Sequence, residues 1–129
     1  MILVVDASAA YDLLEESLTA EKLLGAKELI APDLIVAELL NARWKVARSG
    51  LAAPSLERTL TFLERLRLVP SIAYAREAAA LAEQLDHPAY DCFYVATAQR
   101  EGAKFLTLDE RLLRKVRLSK HAGIARLLL

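Results

Sequence analysis

Four consecutive apolar residues, Ile2-Leu3-Val4-Val5, stop abruptly at a carboxylate, Asp6. A short unbroken run of this kind, partly β-branched, is the pattern of a strand buried on both faces, as in parallel sheets covered by helices on either side. An aspartate at its end falls on the carboxyl edge of the sheet, where open α/β folds gather their ligands. The arrangement recurs once, where Lys104-Phe105-Leu106-Thr107-Leu108 runs into Asp109. Parallel strands set both acids at one edge.

The rest of the chain alternates in the same way. After Asp6 a helix is predicted from Ala7 to Glu16 with an apolar stripe of Leu13, Leu14 and Leu18, then a short helix from Thr19 to Leu24 ended by Gly25. Glu28 to Ala31 reads as a second strand, and Pro32-Asp33 opens a helix that runs to Ser49 and stops at Gly50. Helices from Pro54-Ser55 to Leu66 and from Tyr74 to Leu85 flank a short strand at Leu68-Val69. His87-Pro88 breaks the pattern before a helix from about Tyr90 to Gly102; after the 104–108 strand come a helix over Asp109 to Val116 and a last strand within Ile124 to Leu129. Alternating strands and helices imply a mainly parallel sheet of four to five strands with helices on both faces. With no linker, repeat or low-complexity stretch, residues 1–129 are expected to form one domain.

Composition narrows the function. No apolar run approaches the roughly 20 residues of a membrane helix, and no signal peptide is read at the N-terminus. One cysteine, Cys92, allows no internal disulfide and fits a reducing cytoplasm; no Cys/His set has zinc spacing. The net charge is zero but uneven: residues 1–40 hold eight acids against two lysines, residues 41–70 six bases against two acids. That asymmetry suits an acidic site with basic rims rather than a uniformly basic nucleic-acid binder.

Two further acids stand out. Glu38 shares a helical face with Leu34, Ile35 and Ala42, where an ionised carboxylate costs several kcal/mol unless it is paired or ligated. Asp91 follows the His87-Pro88 break and lies near the start of a helix. Each acid has an ordinary explanation: Asp6 a turn, Asp91 and Asp109 helix caps, Glu38 a salt bridge to a buried arginine. Together at one edge they would repel strongly unless cations neutralised them. Oxygen ligands alone favour Mg²⁺ or Mn²⁺, one ion or two, and such a site activates water and stabilises a leaving oxyanion without a nucleophilic side chain.

The ordered set Asp6 in ILVVDAS, Glu38 in PDLIVAELLNARWK, Asp91 in YDCFYVATAQREGAKFLTLD and Asp109 at its end resembles the PIN-domain ribonucleases. It is most similar to their VapC-type branch, the toxins of toxin–antitoxin pairs. The similarity covers essentially the whole chain, and Tyr90 to Leu112 is its most specific part. The resemblance implies a three-layer PIN-like α/β fold, Mg²⁺- or Mn²⁺-dependent endonuclease action on RNA, and homodimers inhibited by a small antitoxin. It also implies that Asp6, Asp91 and Asp109 ligate metal directly, that Glu38 completes the cluster, and that Ser8 and Thr107 sit beside it as supporting hydroxyls, although turn or strand hydrogen bonding is the simpler account of these two.

Arg43 and Arg111 are the basic residues nearest the acids and the candidates for meeting an RNA backbone. Trp44 and Tyr11 read as packing or interface aromatics, or as base-stacking platforms. Cys92 reads as a small buried residue, and His87 and His121 as structural or exposed. Three other readings compete with the toxin: an RNA-processing nuclease without an antitoxin, a PIN-like binding module without activity, and a signalling receiver domain. The receiver needs paired acids after the first strand and a phospho-accepting aspartate after the third. Val5-Asp6-Ala7 offers one acid, and Leu68-Val69-Pro70 offers none.

Overall fold

A computed structural model describes residues 1–15, 25–121, 123 and 125–127. In chain order the elements are β1 (Ile2–Val5), α1 (Ala7–Glu15), β2 (Glu28–Pro32), α2 (Ile35–Arg48), α3 (Leu56–Arg65) and β3 (Arg67–Val69), followed by a 3₁₀ turn over Ser71–Tyr74. Then come α4 (Ala75–Leu85), α5 (Ala89–Glu101), β4 (Lys104–Thr107), α6 (Glu110–Arg117) and β5 (Ala125–Leu127). The short helix expected at Thr19 to Leu24, Glu16 and Leu18 lie outside the described residues.

All four strand pairings are parallel, and the sheet order is β3-β2-β1-β4-β5. The chain thus starts in the middle, lays down β2 and β3 on one side, then crosses to place β4 and β5 on the other. The reversal lies between β1 and β4, and the switch point of an open α/β sheet is where a crevice opens at the carboxyl ends of the strands.

Leu3, Val4 and Val5 are fully buried although successive strand residues face opposite sides, so both faces of β1 are covered. α1 packs on β1 and β4 from one side with α2 and α3 against it; α5 covers β1, β2 and β4 from the other, with α4 beside it. Ile30, Phe105 and Leu106 complete the central layer. Burying each such side chain is worth about 1.5–3 kcal/mol, which makes β1 and β4, the strands that carry the acids, the best-anchored part of the sheet.

Local chemistry sets the boundaries. Ser55 caps α3 by accepting the Arg58 backbone N–H (3.1 Å). Gly102, at φ +62°, ends α5 in the left-handed conformation that a side chain would strain, and the chain turns there into β4. The helix expected from Asp33 begins instead at Ile35, because the Asp33 carboxylate accepts from the Ser71 N–H (3.1 Å) and hydroxyl (2.6 Å). Far from this edge, Arg67 at the start of β3 joins Glu28 and Glu101 in an exposed ion cluster.

Candidate metal centre

Each acid reaches the carboxyl edge at the N-terminal end of a different helix. Asp6 immediately precedes α1, and its Oδ1 accepts the Ala9 N–H (2.9 Å) and the Ser8 hydroxyl (2.7 Å). Its other oxygen accepts the Thr107 hydroxyl, and Thr107 in turn accepts the Asp109 N–H (3.0 Å). Asp109 is the N-cap of α6, with Oδ1 on the Leu112 N–H (3.1 Å). Glu38 lies in the first turn of α2 and Asp91 in the first turn of α5. The positive ends of four helices therefore face the place where four carboxylates meet, which lowers but does not cancel the cost of gathering them.

Asp6, Ala7, Ser8, Glu38, Asp91, Tyr94 and Asp109 line one concave pocket of about 190 Å³. Beside it, a ring nitrogen of His87, which does not line the pocket, and one oxygen each of Asp91 and Asp109 lie within 4.8 Å of one another. Among the described residues, no lysine or arginine forms a salt bridge with any of the four acids; the one ion-pair partner is His87, on Asp91 (2.8 Å). The salt bridge that would explain Glu38 is replaced by a neutral donor: the hydroxyl of Tyr94, itself 1% exposed, donates to Glu38 Oε1 (2.5 Å).

The electrostatics reflect this crowding. Burial pushes the Asp6 carboxyl up, against the lowering effect of its three hydrogen bonds, and the charge of Asp91 adds to the rise. Burial likewise raises Glu38, with Asp91 and Asp6 contributing repulsion that the Tyr94 bond opposes. Asp91 is raised by burial and by Asp109, in spite of His87. Three carboxyls that resist ionisation in one pocket form an environment that a divalent cation would relieve. The donor set is predominantly carboxylate oxygen, the hard set that suits Mg²⁺ or Mn²⁺. Asp91 Oδ1, Glu38 Oε2 and Asp109 Oδ2 make no hydrogen bond among the described residues, so three acids each retain an oxygen for a ligand.

The PIN-domain family model matches residues 3–118. The chain belongs to the PIN-domain family. Ribonuclease VapC3 of Pyrobaculum aerophilum is 40% identical over 124 residues, taking in 89% of this chain and 95% of that protein. The crystal structure of PAE2754, from the same organism, is similar with a TM-score of 0.75 and 26% identity, across 99% of this chain and 92% of that one. The three-layer PIN fold expected from the sequence is thus the observed one, with a sheet that is wholly parallel and has five strands.

The other candidates of this PIN chain fall in different places. Ser8 and Thr107 hold Asp6, and Ser8 Oγ also accepts the Leu108 N–H (3.1 Å). Arg111 is exposed on the first turn of α6, whereas the Arg43 Nε is occupied by the Pro54 carbonyl (2.7 Å). Trp44 is half exposed rather than a core residue, at 51%, with the Arg48 guanidinium 5.2 Å from its ring centre. Cys92 is fully buried, which pushes its thiol up to about 11 and leaves it unreactive. Two site residues were missed, Tyr94 and His87. Tyr94 stands three residues after Asp91 and so on the same helical face, and His87 is four residues before it.

Proposed function

We propose that this protein is a metal-dependent endoribonuclease that cleaves RNA phosphodiester bonds, and the toxin of a toxin–antitoxin pair. The observation that carries the reading is the convergence, at the switch point of a parallel sheet, of four acids without a lysine or arginine partner among the described residues. The 40% identity to a protein named ribonuclease VapC3 supports the RNA substrate and the toxin role.

Asp6, Asp91 and Asp109 would hold the ion directly and Glu38 would complete the set, with Mg²⁺ or Mn²⁺ as the ion. A divalent ion bound there supplies Lewis acidity and lowers the pKa of water, the chemistry that hydrolyses a phosphodiester without a nucleophilic side chain. The protein's own residues do the rest. Ser8 and Thr107 fix both oxygens of Asp6, and Tyr94 fixes Glu38, so the acids hold their positions before substrate arrives. Four helix N-termini offset negative charge in the pocket, which also favours a phosphate. Arg111, two residues beyond Asp109, is the better placed of the two arginines to meet the RNA backbone. Residues 1–129 act as a single PIN domain, working as a homodimer in the cytoplasm until a small antitoxin blocks the pocket.

The test is to incubate the protein with mixed cellular RNA and Mg²⁺ or Mn²⁺, with and without chelator. Cleavage should require the ion and be lost in Asp6→Asn and Asp91→Asn. Cleavage that ignores chelator, or survives both substitutions, would overturn the proposal.

A further inference from the structure

His87 lies between two elements with little freedom to move. Asp86, at φ 50°, closes α4 in the left-handed conformation, the His87 N–H donates to the Ala82 carbonyl (3.2 Å), and Pro88 follows. Its side chain is 5% exposed. Nε2 sits 2.8 Å from Asp91 Oδ2, and Nδ1 sits 3.3 Å from Nζ of Lys115, which also donates to the Asp86 carbonyl. An ammonium has donors only, so Nδ1 must accept and the ring hydrogen lies on Nε2, aimed at Asp91. Lys115 belongs to α6, the helix that Asp109 caps. One chain of contacts therefore runs from α6 through the imidazole to the first turn of α5.

We propose that His87 is a positioning residue: it clamps one oxygen of Asp91 so that the other is presented to a divalent ion, while Lys115 locks the ring in the tautomer the clamp needs. The inference rests on the metal-dependent reading above. His87 lies close enough to Asp91 and Asp109 to be considered a ligand itself. Both of its ring nitrogens are already engaged, however, and ligation would require it to surrender Asp91. Groups that orient a ligand from behind tune metal affinity by about 10- to 100-fold, enough for the clamp to matter.

The experiment is calorimetric titration of the full chain with Mn²⁺, with paramagnetic resonance of the bound ion. His87→Ala should weaken binding about 10-fold, and His87→Gln, whose amide can donate to Asp91, should recover to within about 3-fold of the unsubstituted protein. In an Asp91→Asn background, His87→Ala should add no further loss. Lys115→Met should also weaken binding; removing a cation near an acidic pocket would by Coulomb's law alone tighten it. Because Lys115 is only half-buried on α6, Lys115→Met is expected to fold, and that sign decides the matter even if His87→Ala does not. Unchanged affinity in His87→Ala, no recovery in His87→Gln, tighter binding in Lys115→Met, or a nitrogen hyperfine coupling to Mn²⁺ that vanishes with His87 would each overturn the clamp. An unsubstituted protein that neither binds Mn²⁺ nor cuts RNA would instead overturn the functional reading, and the clamp with it. Loss of binding in Asp91→Asn but not in His87→Ala removes the clamp alone.

Discussion

Replacing Glu38 by glutamine separates a site carboxylate from a structural one, because the two roles predict opposite signs. Glutamine keeps the oxygen that accepts from Tyr94 and has nearly the same volume. What it removes is a charge that is costly to bury and is repelled by Asp91 and Asp6. Two unit charges 4 Å apart interact by about 4 kcal/mol at the effective dielectric of a protein surface. Glu38 is only half-buried and its neighbours stand further off, so screening reduces the net relief to about 1 kcal/mol at neutral pH. For a chain of this size that corresponds to a rise in Tm of about 3–5 °C. Chelated Glu38→Gln should therefore melt higher than the unsubstituted protein in scanning calorimetry, while its RNA cleavage in Mn²⁺ falls by about 100-fold or more, since it has lost an acid of the metal set. The stabilisation that Mn²⁺ gives the unsubstituted protein should shrink in parallel. A lower Tm with cleavage intact would refute the reasoning, and would mean that Glu38 is a paired structural charge.

The carboxyls of Asp6, Glu38 and Asp91 are raised, first by burial. The folded, metal-free protein thus binds protons more tightly than the unfolded chain, and the associated stability is present below the ordinary carboxylate range and lost as pH rises through the raised values. Tm of chelated protein should fall as pH rises from the ordinary carboxylate range through the raised values, and added Mn²⁺ should raise Tm more at the higher pH, measured by scanning fluorimetry. Asp109 both caps α6 and faces the pocket. Asp109→Asn should keep stability and lose cleavage, whereas Asp109→Ala should lose cleavage and about 1 kcal/mol of stability by urea unfolding. Thr107→Val removes a donor from Asp6 in buried surroundings and an acceptor from the Asp109 N–H in partly buried ones. It should cost about 1–3 kcal/mol in the same unfolding experiment and weaken Mn²⁺ binding, while Thr107→Ser should restore both.

The sheet was legible because β1 and β4 are short, apolar and bounded by acids, and a strand that ends in aspartate at a parallel edge leaves little choice of where the carboxylate goes. Glu38 was legible as an anomaly, a charge on an apolar helical face. Its partner was not: the phenol of Tyr94 reaches it across 56 positions of sequence, and no local pattern announces such a contact. Asp109 reads from sequence as either cap or ligand, and its hydrogen bond to Leu112 shows the cap to be real without emptying the pocket of its carboxylate. His87 was passed over because the proline after it reads as a helix break. The tertiary fold then brings Lys115 from α6 to the other side of the ring. Arg43, near Glu38 in sequence, has its Nε on the Pro54 carbonyl, a contact that helical spacing does not reveal.

Whether these acids share a divalent ion is tested most directly by anomalous scattering from crystals soaked in Mn²⁺. A peak within about 2–2.5 Å of oxygens from Asp6, Asp91 and Asp109, absent from Asp91→Asn crystals, is the expected result. A pocket with no anomalous density at saturating Mn²⁺, or density bound elsewhere on the molecule, would contradict it.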